Sequence, residues 1–336
     1  MSGGLAGVAA RPKPFTPGRL LRVAGLSAGL WLLVAAACCL IGPSMGLSSI
    51  PLRLHRVIPA SLVGAALSVA GVALQSLLRN PLAAPSILGI NSGATVGAML
   101  AMLAGSAGMA GAGGIATTTV GAAAGGVATI LVVYLVAQRR GLLDPYTLLL
   151  TGVIVNSFNG AVIMFLYLLA SQPVFKDAAM WSMGAIREQV SPAALVVSGT
   201  IILAGWALLM GFAKHFNVQA LGDDVAGTSG VRTGVLRLAT FAAAAIMTAA
   251  AVTLSGPIGF VGLIVPHVGR RLFGPDHRTL LVTAGFLGAA FVAAADTFCR
   301  SLVWTGIGEP PLGIITAATG GPFFIYLLRA RLKGNV

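Results

Sequence analysis

About ten apolar runs, each close to the length that crosses a lipid bilayer and nearly free of charge, restrict this chain more than any other feature. They fall near residues 20–42, 57–78, 86–105, 113–137, 146–170, 192–213, 235–254, 257–272, 279–299 and 312–328. A hydrocarbon core roughly 30 Å thick takes about 20 mostly apolar residues to cross, and only helices or closed barrels satisfy their backbone groups inside it. The runs are continuous rather than alternating, which predicts helices. With 9% charged and 57% hydrophobic residues among 336, and a mean hydropathy of +0.94, charge is too scarce to coat a soluble surface. The expected fold class is all-α: one polytopic membrane domain over 19–333, preceded by a tail over 1–18.

An even number of spans puts both termini on one side. Of the 21 Lys and Arg, only Arg53, Arg56, Lys176, Arg187 and Arg300 fall on the opposite side, leaving 16 with the termini. That bias predicts cytoplasmic termini. The net charge of +13 is divided among loops, so lipid rather than nucleic acid is the expected partner. Cys38, Cys39 and Cys299 match no disulfide framework or metal spacing, and His55, His215, His267 and His277 are scattered, so no metal centre is expected. Ala35-Ala36-Ala37 before Cys38 resembles a cleavage site, but the apolar run exceeds a signal peptide's core of about 7–15 residues. An uncleaved first helix is expected.

Between Arg53 and Gly97 the chain places two arginines before an uncharged span, an Arg79-Asn80-Pro81 corner after it, and then Gly89, Gly93 and Gly97 at a spacing that lets helices approach closely. On the outer side, Ser171 to Ser191 sets Met180, Trp181 and Met183 between Lys176-Asp177 and Arg187-Glu188. A short interfacial helix fits there, with the aromatic ring as a membrane-surface anchor. The inner loop from Lys214 to Arg237, bounded more narrowly at about 214–234, suits two short helices or a solvated connector. Gly222 breaks the chain there, Asp223 is placed to cap a turn, Asp224 suits a helix N-terminus, and Gly230 offers a second stop.

Asp296 is the acid lying within an apolar run, and Arg300 follows it by one helical turn. A structural pair and a proton relay are both open for it. Asn91, Asn156 and Asn159 either line a path or bond between helices. A P-loop needs Gly-x-x-x-x-Gly-Lys followed by Ser or Thr, and none of Lys13, Lys176, Lys214 and Lys333 precedes either residue. ATP hydrolysis is therefore not expected on this chain, and no nucleophile, base or metal constellation suggests another enzyme.

The segments VGAALSVAGVALQSLLRNPLAAPSILGINSGA at 63–94, LGDDVAGTSGV at 221–231, LSGPIGFVGLIVPHVGRRLFGPDHR at 254–278 and PPLGIITAATGGPFFIYLL at 310–328 together resemble the FecCD permeases of type II ABC importers. The resemblance runs from about Arg53 to Arg329. It implies a homodimer of ten-helix subunits, two ATPase subunits that bind ATP and Mg, and a periplasmic binding protein. It implies an iron chelate as cargo, with haem ahead of a siderophore and cobalamin as an alternative; no cofactor is implied for this chain. By the same resemblance Leu221, Gly222, Asp223, Asp224, Ala226 and Gly230 couple to the ATPase, Arg53, Arg56 and Arg300 dock the binding protein, and Asn80 and Leu82 close the inner gate. His55 stands where the family carries Pro between the paired arginines. The rival expectation is an ion-coupled secondary transporter that uses Asp296 as its charge carrier.

Overall fold

The computed structural model describes residues 16–41, 50–108, 114–139, 142–186, 190–306 and 308–332. The expected tail over 1–18 lies outside them up to residue 15, as do the Arg187-Glu188 pair and the domain's last residue at 333. Among the described residues the chain forms thirteen α-helices and a single two-residue hairpin. The helices are α1 (Pro17–Leu40), α2 (Ile50–Leu77), α3 (Ile90–Ser106), α4 (Ile115–Val136), α5 (Pro145–Leu169), α6 (Gln172–Ser182), α7 (Pro192–Gly211), α8 (Ala213–Gln219), α9 (Asp223–Thr228), α10 (Thr233–Ser255), α11 (Val261–Phe273), α12 (His277–Ser301) and α13 (Leu312–Leu332). The hairpin pairs β1 (Gln138–Arg139) with β2 (Leu142–Leu143) in antiparallel register.

Each expected span corresponds to one helix, and eight are long and apolar enough to cross a membrane. The other two are α3, with 17 residues, and α11, with 13. Both are shortened at their N-termini by local backbone geometry. Before α3 the apolar run starts as a 3-10 turn over Pro85–Leu88 and swings through Gly89 at φ 77°. Before α11, Pro257 lacks an amide hydrogen and Phe260 takes a left-handed φ of 66°.

The helices are arranged around α2, whose apolar window is 89% buried against 11% for the peripheral α1. A helix apolar on every side belongs inside, and α2 packs on α12, α10, α11, α7 and α1. Small residues bring the backbones together: a Cβ on Gly64 would lie 2.0 Å from the Gly288 carbonyl oxygen of α12. On α3, Gly93 and Gly97 meet Gly125 and Gly121 of α4, as their spacing predicts. Gly89 instead serves the left-handed turn. In α10 the buried hydroxyls of Thr240, Thr248 and Ser255 donate to carbonyls one turn back, at 2.6, 2.7 and 3.1 Å.

The outer loop does form a short helix, α6, but Trp181 is not a membrane-surface anchor. It is 7% exposed and packs with Val252, Ala94 and Ala98. The turn after α6 pins it there, since Ala185 N donates to Ser255 O at 2.8 Å and Gly313 N donates to Gly184 O at 3.2 Å.

Gly64→Val is expected to destabilise the fold by about 1–3 kcal/mol through overpacking. Gly25→Ala on α1, with open space around it, is expected to leave stability unchanged or raise it. Melting temperatures of the detergent-solubilised variants check this; an unchanged value for Gly64→Val would show that the α2–α12 approach is not a constraint.

Candidate functional site

Charged side chains gather at two ends of the bundle, and α2 reaches both. At one end α2 stops in a Schellman motif, with Asn80 N donating to Gln75 O at 3.1 Å and Arg79 N to Ser76 O at 3.3 Å. The left-handed position of that motif usually takes glycine. Here it is Arg79, at φ 48°. Asn80 Oδ1 accepts from Leu82 N at 3.0 Å, an Asx turn that folds the corner, and Gln75 Nε2 holds Ala83 O and Gly262 O at 3.2 and 3.1 Å. The two expected gate residues therefore share this corner, both half-buried.

The expected pair of short inner helices is present as α8 and α9, joined through Gly222 at φ 129° and ended by Gly230 at φ 79°. Ala226 is fully buried, whereas Leu221 is 71% exposed and Val225 and Asp224 also face outward. Asp223 does not cap α9. Gly222 occupies the cap position, and the Asp223 carboxylate turns away to meet Arg79 at 2.5 Å and Arg237 at 2.8 Å. The first contact is an ion pair by distance without hydrogen-bond alignment; the second is a hydrogen bond from Arg237 Nη2. Arg237 Nη1 also donates to Leu143 O at 3.2 Å. One carboxylate thus joins α9 to the ends of α2 and α10.

At the opposite end Arg53, Arg56 and Arg300 are 7%, 5% and 5% exposed. They turn inward rather than standing on the surface, because each finds oxygen partners within the chain. Arg53 Nη1 donates to Cys39 O at 2.9 Å and Leu40 O at 2.8 Å, the last carbonyls of α1. Arg56 Nη2 donates to Asp296 Oδ1 at 2.9 Å and also to Glu309 Oε1. Arg300 donates from Nε to Asp296 Oδ2 at 3.2 Å and from Nη2 to Thr297 Oγ1 at 2.9 Å. The Asp296–Arg300 turn pair is as the spacing predicts. Arg56 and Glu309 complete it from 240 residues upstream and from the loop after α12, beyond the reach of local spacing. Glu309 is the accessible member, with a side chain 36% exposed.

Asn159 is buried and donates to Ser92 Oγ at 3.1 Å and Thr129 Oγ1 at 3.5 Å, so it bonds α5 to α3 and α4. Asn156 lies on the exposed face of α5 among Val153, Ile154 and Phe158. The buried Asn91 Oδ1 has no hydrogen-bond partner. No group of three or more metal-type side chains gathers among the described residues.

The FecCD transport family model matches residues 23–330. Over 283 residues the chain is 41% identical to the cobalamin import system permease protein BtuC of Halobacterium salinarum, covering 83% of this chain and 73% of that protein. Over 279 residues it is 37% identical to the hemin transport system permease protein HmuU of Yersinia pestis, covering 82% and 81%. It superposes with a TM-score of 0.80 and 28% identity on a solved metal-chelate type ABC transporter in an inward-facing conformation, covering 92% of this chain and 99% of that one. With helices in the expected order and a family match reaching from α1 into α13, the chain belongs to the FecCD transport family.

Proposed function

We propose that this chain is the membrane-spanning permease subunit of an ATP-driven importer for a large metal chelate, working as a homodimer on two ATPase subunits and fed by a periplasmic binding protein. The observation that carries the mechanism is the Asp223 bridge between α9, the Arg79 corner and α10. Leu221, Asp224 and Val225 form the outward face that meets the ATPase. A push on that face moves α9, and Asp223 passes the displacement to α2 and α10, two deeply buried helices. α2 carries Arg56 near one end and Arg79 lies just past the other, so along the helix the two are roughly 35 Å apart at 1.5 Å per residue. A rigid rod of that length links ATP-driven closure at one face to rearrangement at the other. The relatives' names cover cobalamin, hemin and iron hydroxamate at 41%, 37% and 35% identity, so the reading stays at the class of large metal chelate, within which haem was the first expectation. Asp296 is assigned a structural part, since guanidinium groups engage both of its oxygens.

In liposomes the full-length chain is expected to hydrolyse no ATP alone, and to move chelate only with its ATPase subunits and ATP. Uptake driven by an ion gradient without ATPase would sink the importer reading.

Arg79→Gly removes the ion pair and relieves the left-handed backbone at once, so folding is expected to hold. Asp223→Ala loses contacts that, at 39% side-chain exposure, are worth at most about 1 kcal/mol of stability each. Both variants are nevertheless expected to lower ATPase stimulation by substrate-loaded binding protein by about fivefold or more, the low end of allosteric coupling energies. Normal stimulation in both variants would make α9 a passive connector.

At the outer end the binding protein is expected to reach Arg56 by placing a carboxylate where Glu309 now sits. Glu309→Gln should speed capture and Arg56→Glu should slow it, with both rates falling as salt rises. Association kinetics that ignore both substitutions and salt would remove the docking role.

A further inference from the structure

The ends of α1, α2, α11 and α12 border a cleft of about 1160 Å³ beside the Arg79 corner. Four arginines line it: Arg19 in the first turn of α1, Arg79 beyond α2, and Arg270 and Arg271 in the last turn of α11. Two of them have partners in place, since Arg19 Nη2 donates to Phe273 O at 3.0 Å and Arg79 pairs with Asp223. The acid on the cleft wall, Asp276, is turned to its own helix. It accepts from Arg278 N at 2.9 Å as the cap of α12, and from Asn217 Nδ2 at 2.8 Å. Arg270 is different: its Nη1 is buried with no hydrogen-bond partner. A buried guanidinium nitrogen without an acceptor is costly, so the site calls for an oxyanion. Ser76 Oγ, also buried and unpaired on the same wall, adds a neutral donor.

We propose that this cleft holds the phosphate oxyanion of an anionic phospholipid. Its four arginines all lie where apolar helices begin or end, which sets the cleft at the depth of lipid headgroups. The rim carries exposed apolar side chains, with Leu272 64% exposed and Pro275 beside it. A ligand with a phosphate and two acyl chains matches both the charges and that rim. Free phosphate or a protein carboxylate uses only the charges. Basic pockets between membrane helices suit anionic headgroups for this reason. Asn217, Ala220 and Leu221 form another wall, so a bound lipid touches the α8–α9 segment. The lipid site stands without the importer reading; only its effect on coupling rests on it.

The test is native mass spectrometry of the full-length chain, equilibrated in detergent with phosphatidylglycerol or phosphatidylcholine of matched acyl chains. Phosphatidylglycerol should be retained preferentially. Arg270→Gln and Arg271→Gln should each lower its retention about fivefold, the effect of one basic side chain at a membrane surface. Arg271 is exposed, so that variant reports even where Arg270→Gln fails to fold. Arg329→Gln, an exposed charge outside the cleft, should leave retention unchanged. Equal retention of the two lipids, or an equal loss in Arg329→Gln, would overturn the site. Displacement of the lipid by inorganic phosphate would make it a soluble-anion site instead. Cleft variants that keep the lipid but lose assembly with the ATPase subunit would assign the arginines to that protein.

Discussion

In a solvent of acyl chains, apolar side chains gain nothing by meeting one another rather than lipid, so backbone approach has to supply the contact that holds helices together. The bundle depends on that approach along α2. Gly64 against Gly288, and Gly71 against Gly262, leave no room for a Cβ, and the alanines and Ser68 between them keep the same face narrow. With α12, α10 and α11 drawn onto α2, the remaining spans are free to face lipid, and the low burial of α1, α4, α5, α7 and α13 follows. The large exposed apolar surface of those helices suits a membrane as solvent, apart from whatever a second copy of the chain would cover.

The same medium governs the charges. Arg56 and Arg300 lie near a helix end yet hardly touch the surface, and Asp296 is buried between them. Separating any of these from its partner would leave an uncompensated charge inside the protein. The cluster therefore keeps α2, α12 and the loop carrying Glu309 in one arrangement until another carboxylate can take over. At the opposite end Asp223 is more exposed, so its ion pairs are weaker and more readily exchanged. The two ends differ in stiffness because they differ in access to water.

Length and hydropathy made the spans legible, because crossing a membrane imposes a length that few other segments share. Gly93 and Gly97 were legible for a similar reason, since a four-residue spacing of glycines on an apolar helix has a packing consequence. The turn glycines Gly222 and Gly230 were legible from local conformation. What escaped were contacts set by distant chain. Asp223 looked like a cap because capping is a local pattern, while its real partners lie on α2 and α10. Trp181 looked like a surface anchor because its neighbours in sequence are charged, yet the turn after α6 folds it under α10. Arg53 and Arg56 looked outward-facing because they defied the charge bias, but the α1 carbonyls, Asp296 and Glu309 draw them in, whereas the Asp296–Arg300 pair was legible from its spacing.

Arg79 marks where the bundle departs from the local rule that a left-handed helix end takes glycine. An L-residue in that conformation carries a steric penalty of about 1–2 kcal/mol, of which the half-exposed Asp223 contact, worth at most about 1 kcal/mol, offsets a part. The hydrogen bonds from Asn80 N and Arg79 N to the last turn of α2 supply the rest. An α9 that draws away would take with it the part of that compensation which Asp223 supplies. The residue that looks like a defect in the helix end ties the strain of the corner to the position of a single carboxylate.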